Sequence, residues 1–229
     1  MIEAVIFDCD GVLVDSEILA HEVELRVLAE LGLHYDVHEF KARFMGMSDR
    51  AFQAALEEDG QARLGRSIID EVAPRLAAGY AAAMDTRLAI VSGAAEAVRA
   101  VGCAKAVASS STTKGLERKL RKVALWDDFA PHIYSAEHVE HAKPAPDLFL
   151  HAAANLNVAP QHCLVIEDSV NGVRAARAAG MRVWGLMAGA HMDEPARERL
   201  IAAEAERIVE DWAEAAALFR AHSASTLAC

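Results

Sequence analysis

Ala4-Val5-Ile6-Phe7-Asp8-Cys9-Asp10-Gly11 is the stretch on which the fold turns. Four apolar residues end abruptly on a carboxylate, the pattern of a short parallel strand buried on both faces with polar residues at its C-terminal end. Similar runs recur at Ala104–Ala108, Ile133–Tyr134, Leu164–Ile166 and Arg182–Leu186, bounded by polar or glycine-containing turns and separated by helical patterns. This alternation predicts an α/β protein with a doubly wound parallel sheet. Such sheets bind ligands outside the carboxyl ends of their strands, where Asp8, Ser109, Glu167 and Asp168 stand here.

About a hundred residues with little strand pattern separate the first run from Ser109, too many for an ordinary crossover. They read as an insert. Ile18, His21, Leu25, Leu28 and Leu31 follow one another at three- and four-residue steps, with Gly32 placed to cap that helix. A second helix is expected over Arg50–Glu58, stopped by Asp59-Gly60, and a third over Ile68–Ala83 in spite of Pro74. The expected organisation is an α/β core of residues 1–15 and 81–229 and a small all-helical domain of residues 16–80. Thr86–Val101 reads as a helix-rich return with a turn at Ser92-Gly93. The tail after Glu194 reads as helix interrupted by a short edge strand near Arg207–Val209.

A net charge of −11 argues against a nucleic-acid partner, which would need clustered Lys and Arg. Cys9, Cys103, Cys163 and Cys229 form no CxxC pair, so neither a zinc site nor a disulfide framework is expected, and a reducing cytoplasm suits them. Asp8 breaks the N-terminal apolar run too early for a signal peptide or membrane span.

Four segments carry chemistry. Asp8-Cys9-Asp10-Gly11 sets two carboxylates two residues apart, and such a pair needs a cation between them or a shared proton. Taken alone, the pair fits a solvated turn equally well. Ser109-Ser110-Ser111-Thr112-Thr113 follows a strand and opens a helix, offering hydroxyls and free N–H groups to an anion, although any one of them could simply cap the helix. In His141-Ala142-Lys143-Pro144, the proline disfavours helix at Lys143 and makes it a fixed point charge for phosphate. Leu164-Val165-Ile166-Glu167-Asp168-Ser169 ends an apolar strand on two acids, of which a helix cap explains only one.

In this order, DCDGVLVDSE, VASSS, KPAPDLFL and VIEDSVNGV resemble the four motifs of the haloacid dehalogenase superfamily, in its branch of sugar-phosphate phosphatases and β-phosphoglucomutases. The resemblance implies a Mg²⁺-dependent phosphatase of a small phosphorylated metabolite, with the insert as a cap over the substrate; the sequence leaves a monomer and a homodimer both open. It makes Asp8 the nucleophile that becomes an aspartyl-phosphate and Asp10 the acid and base. Ser109 and Lys143 would bind the transferring phosphoryl group, with Ser110 and Ser111 beside it. Mg²⁺ would be held by Asp8, the Asp10 carbonyl and Asp168, with Glu167 in support. The dehalogenases that name the superfamily lack the second aspartate of this pair, so Asp10 points to phosphate chemistry.

Within the cap, the segment Phe44–Arg50 is expected to help choose the substrate, with Lys41, Arg43 and above all Arg50 as candidate contacts. His21 is a further candidate, although its place on an apolar stripe suits packing. β-Phosphoglucomutases carry a histidine one residue nearer the Asp pair, where this chain has Ala20, and an arginine where it has Asp49. A hexose phosphomutase is therefore the second reading. The third is a non-catalytic phospho-accepting domain, which would need neither a cap nor Asp10.

Overall fold

A computed structural model of the chain describes residues 1–44, 47 and 49–226. Its strands are β1 (Ala4–Phe7), β2 (Ala104–Ser109), β3 (Ile133–Ser135), β4 (Cys163–Glu167), β5 (Arg182–Leu186) and β6 (Arg207–Val209). They form one parallel sheet in the order β3-β2-β1-β4-β5-β6. The connections leave in opposite directions on the two sides of β1, which opens a crevice at its C-terminal end.

The helices are α1 (Ser16–Glu30), α2 (Val37–Phe44), α3 (Asp49–Leu64), α4 (Ile69–Arg87), α5 (Ala94–Ala100), α6 (Thr113–Lys122), α7 (Trp126–Phe129), α8 (Asp147–Leu156), α9 (Val170–Ala178), α10 (Glu194–Ala202) and α11 (Trp212–Thr226). The chain divides into two compact units, residues 1–17 with 88–229, and residues 18–87. Among the described residues no helix is long and apolar enough to cross a membrane.

The first unit has a core on each face of the sheet, because successive strand residues point to opposite sides. Ile6 and Val165 face Leu148, Phe149 and Ala152 of α8 and Val173 and Ala176 of α9, all buried. Phe7 turns the other way, edge-on to Phe129 of α7 at 5.5 Å and to Phe219 of α11 at 6.4 Å. Phe7 pairs with Val107 on one side and Ile166 on the other, so the residues that follow in all three strands emerge at one level.

The helical unit differs from the sequence reading in several respects: it spans residues 18–87 rather than 16–80, it contains α2, which was not expected, and α4 runs on to Arg87. Asp59-Gly60 does not stop the second helix, since α3 continues to Leu64. A glycine costs a helix about 1 kcal/mol, which tertiary ties can outweigh. Here Asp59 accepts hydrogen bonds from the Tyr35 hydroxyl at 2.6 Å and from Arg43 at 3.0 Å. A Cβ on Gly60 would lie 3.0 Å from the Arg66 carbonyl, so the glycine leaves room for the chain to fold back after the helix.

Candidate active site

Asp8 and Glu167 each follow a buried strand residue, Phe7 and Ile166, that is paired with the other across β1 and β4. Their carboxylates therefore leave the sheet side by side. Lys143 lies between them: its ammonium donates to Asp8 Oδ1 at 2.7 Å, Glu167 Oε1 at 2.7 Å and the Ala108 carbonyl at 3.0 Å. Those three bonds use all the protons of the group. Burial alone would pull Lys143 below its ordinary pKa, but Asp8 and Glu167 carry it above, so it stays charged.

Glu167 is buttressed on its other oxygen by the Asp168 and Ser169 N–H groups, at 3.1 and 3.0 Å, and by the Ser169 hydroxyl at 2.9 Å. Ser169 also caps α9, accepting from the Gly172 N–H at 3.0 Å. Gly172 is required here, because a Cβ would fall 1.7 Å from Glu167 Oε1. One short turn thus fixes an acid, a helix end and the position of the next acid, Asp168.

Asp8, Glu167 and Asp168 can each offer an oxygen within 4.8 Å of the others. Burial raises the Asp8 pKa well above the carboxylate range, Lys143 partly opposing it and Glu167, Asp168 and Asp10 adding to it. Asp168 is raised as well, by burial and then by Glu167. Were all three acids ionised, one lysine would leave two excess negative charges in a buried site, which is why Asp8 and Asp168 are drawn toward their protonated forms without a further cation. A hard divalent cation, which takes oxygen ligands, fits both that charge and that donor set.

Asp10 belongs to a different cluster. Its carboxylate accepts from the hydroxyls of Ser16 at 2.5 Å and Ser111 at 2.6 Å, from Ser109 at 3.4 Å, and from Lys119. Burial pushes the acid up, but Lys119 and the hydrogen bonds from Lys119, Ser111 and Ser16 outweigh it, so Asp10 lies below its ordinary value. With neither cation nor substrate bound, the two nearby carboxylates thus have opposite tendencies, Asp8 toward the proton and Asp10 away from it.

The site therefore brings together Asp8, Asp10, Ser109, Ser111, Lys143, Glu167 and Asp168. Ser110 is exposed at the end of β2. Arg50 and His21 belong to the helical unit, where Arg50 is exposed and His21 stands edge-on to Phe40 at 6.0 Å. Arg43 is tied to Glu58 and Asp59. Met45, Gly46 and Ser48 of the expected specificity segment lie outside the described residues.

Lys119, Ser16 and His191 were not singled out from the sequence. Lys119 carried a faint signal, since it shares a helical stripe with the buried Leu116 and Leu120. Ser16 sits at the end of the first motif. His191, whose Nε2 is 3.0 Å from Asp168 Oδ2, comes from an irregular loop with no periodicity to read.

The family profile of the haloacid dehalogenase-like hydrolases matches residues 2–180. A 6-phosphogluconate phosphatase of Escherichia coli is 29% identical over 190 residues, covering 83% of this chain and 85% of the relative. Hexitol phosphatase B of the same organism is 35% identical over 186 residues, covering 78% and 81%. The crystal structure of a conserved haloacid dehalogenase-like protein of unknown function from Agrobacterium tumefaciens superposes with a TM-score of 0.87 at 36% identity, over 97% of this chain and 100% of that one. With four ordered motifs meeting at one sheet edge and a match over most of its length, the chain belongs to the haloacid dehalogenase-like hydrolases and is an enzyme of the phosphoric monoester hydrolase class.

Proposed function

We propose that the enzyme is a Mg²⁺-dependent phosphatase that hydrolyses a small phosphorylated metabolite, a sugar, polyol or sugar-acid phosphate, through an aspartyl-phosphate on Asp8. The observation that carries this reading is the separation of two acid clusters two residues apart in sequence: Asp8 with Lys143, Glu167 and Asp168, and Asp10 with Lys119 and three serines. Similarity to a 6-phosphogluconate phosphatase and a hexitol phosphatase supports a polyhydroxylated substrate.

In the first step an oxygen of Asp8 attacks phosphorus while the bond to the leaving oxygen breaks, and Asp10, having taken up a proton once the phosphorylated substrate is bound, gives that oxygen its proton. In the second, Asp10 as carboxylate takes a proton from water as the water attacks phosphorus and Asp8 leaves. Lys143 orients Asp8 and offsets charge on the phosphoryl oxygens, with hydroxyl donors from Ser109 and its neighbours. The cation would be held by Asp8, Asp168 and the Asp10 carbonyl, with Glu167 in support, and when bound it neutralises the phosphoryl group and the attacking carboxylate. The helical unit would serve as the cap that selects the substrate, with Arg50 and His21 its first residues to test.

Phosphate release from a panel of sugar, polyol, sugar-acid and aryl phosphates tests the reading. Release is expected with Mg²⁺, is lost with a chelator, and falls by about 10³-fold or more in Asp8→Asn. No release from any member, or full activity in Asp8→Asn, would sink it. Isomerised sugar phosphate in place of inorganic phosphate would mark a mutase.

A further inference from the structure

The loop after β5 reaches back over the first motif. The Ala190 N–H donates to Asp15 Oδ1 at 2.9 Å, which ties the loop to the turn that follows Asp8 and Asp10. This places the buried imidazole of His191 with Nε2 3.0 Å from Asp168 Oδ2, both side chains only 6% exposed. The neighbouring backbone is shaped around the pair. A Cβ on Gly11, whose φ is +73°, would lie 1.9 Å from Asp168 Oδ2 and 2.7 Å from His191 Cε1. A Cβ on Gly189 would lie 2.6 Å from the Gly11 carbonyl and 2.7 Å from the same His191 carbon. Two glycines in separate loops thus each leave the space that this contact occupies.

We infer that His191 is a positioning residue for Asp168: its Nε2–H holds one carboxylate oxygen and turns the other toward the cation. This rests on the proposed metal reading of Asp8, Glu167 and Asp168. A ligand carboxylate that rotates freely must be ordered when the cation binds, whereas one already held does not, and loss of such an outer partner typically costs about 10–100-fold in metal affinity. A buried histidine serving only to pack would contribute to stability and leave cation affinity alone.

Calorimetric titration of the full chain with Mg²⁺, without substrate, separates these roles. His191→Gln keeps an N–H donor, His191→Asn shortens it, and His191→Leu removes it, so the last two cover each other if one fails to fold. The expected result is Mg²⁺ binding weakened about 10–100-fold in the Asn and Leu variants and within about 3-fold of wild type in Gln, whatever their melting temperatures without metal. Wild-type affinity in Asn or Leu, or equal losses in all three, overturns the inference. An Asp168→Asn variant that binds Mg²⁺ as well as wild type overturns the metal reading itself.

Discussion

Lys119 donates to Asp10 from the second turn of α6, and it donates to Ser111 Oγ at 2.9 Å in the same arrangement. With Ser16 and Ser111 it surrounds a carboxylate that burial would otherwise neutralise, so in the substrate-free protein Asp10 is drawn toward its ionised form by one lysine while Asp8 is paired with another. The two lysines divide a strongly acidic pocket into halves.

On the proposed mechanism Lys119 touches Asp10 and not the substrate. Lys119→Met should therefore lower kcat on a sugar phosphate by about 10–100-fold, a share of what acid–base catalysis contributes, while KM changes less than about 3-fold. Steady-state kinetics on one good substrate check this. A raised KM with unchanged kcat would place Lys119 on the substrate instead.

Lys143 offers a stability test. Its side chain is 4% exposed and its partners Asp8 and Glu167 are nearly as buried, so Lys143→Met leaves two acids without their cation. Removing one partner of a buried pair costs about 3–5 kcal/mol. Urea unfolding of the metal-free protein at neutral pH should show a loss of that size, and Mg²⁺ should restore part of it if the acids bind it.

Gly172 sets two rules against each other. Inside the α9 helix, alanine should be the better residue by about 1 kcal/mol. A Cβ there falls 1.7 Å from Glu167 Oε1, the oxygen that Lys143 holds. Gly172→Ala should thus destabilise the protein by about 2 kcal/mol or more and reduce turnover with it, because Glu167 must give up its place. Thermal melting decides between the rules, and a raised melting temperature would show that Glu167 is free to move.

What could be read from the sequence follows from how local the causes are. The strands were visible because runs such as Val5-Ile6-Phe7 and Val165-Ile166 are apolar without alternation and stop on acids. Lys143 was visible because Pro144 follows it. Lys119 was hidden among the cations Lys114, Arg118, Arg121 and Lys122 of the same helix, and its purpose depends on Asp10, far away in the chain. His191 was hidden by its irregular loop. The end of α3 was misread because Asp59-Gly60 is a stop by local chemistry, overruled by Tyr35 from the loop before α2 and Arg43 of α2.

Glu24 of α1 gives the helical unit its own pH dependence. The side chain is half-buried and accepts from the Tyr80 hydroxyl of α4 at 2.6 Å. Burial pushes its pKa up to about 7 from the ordinary 4.5, against a smaller pull from Tyr80. Between those two values the folded chain keeps a proton that the unfolded chain has released, so stability falls as pH rises from about 4.5 to about 7 and then levels off. Glu24→Gln keeps an acceptor for Tyr80 and never carries the charge. It should be more stable than wild type by about 1–2 kcal/mol at pH 8, allowing for the water that reaches a half-buried side chain, and equal to it below pH 4.5. Urea unfolding of both proteins at the two pH extremes checks the sign, and a variant less stable than wild type at pH 8 would mean that the Glu24 charge itself holds α1 to α4.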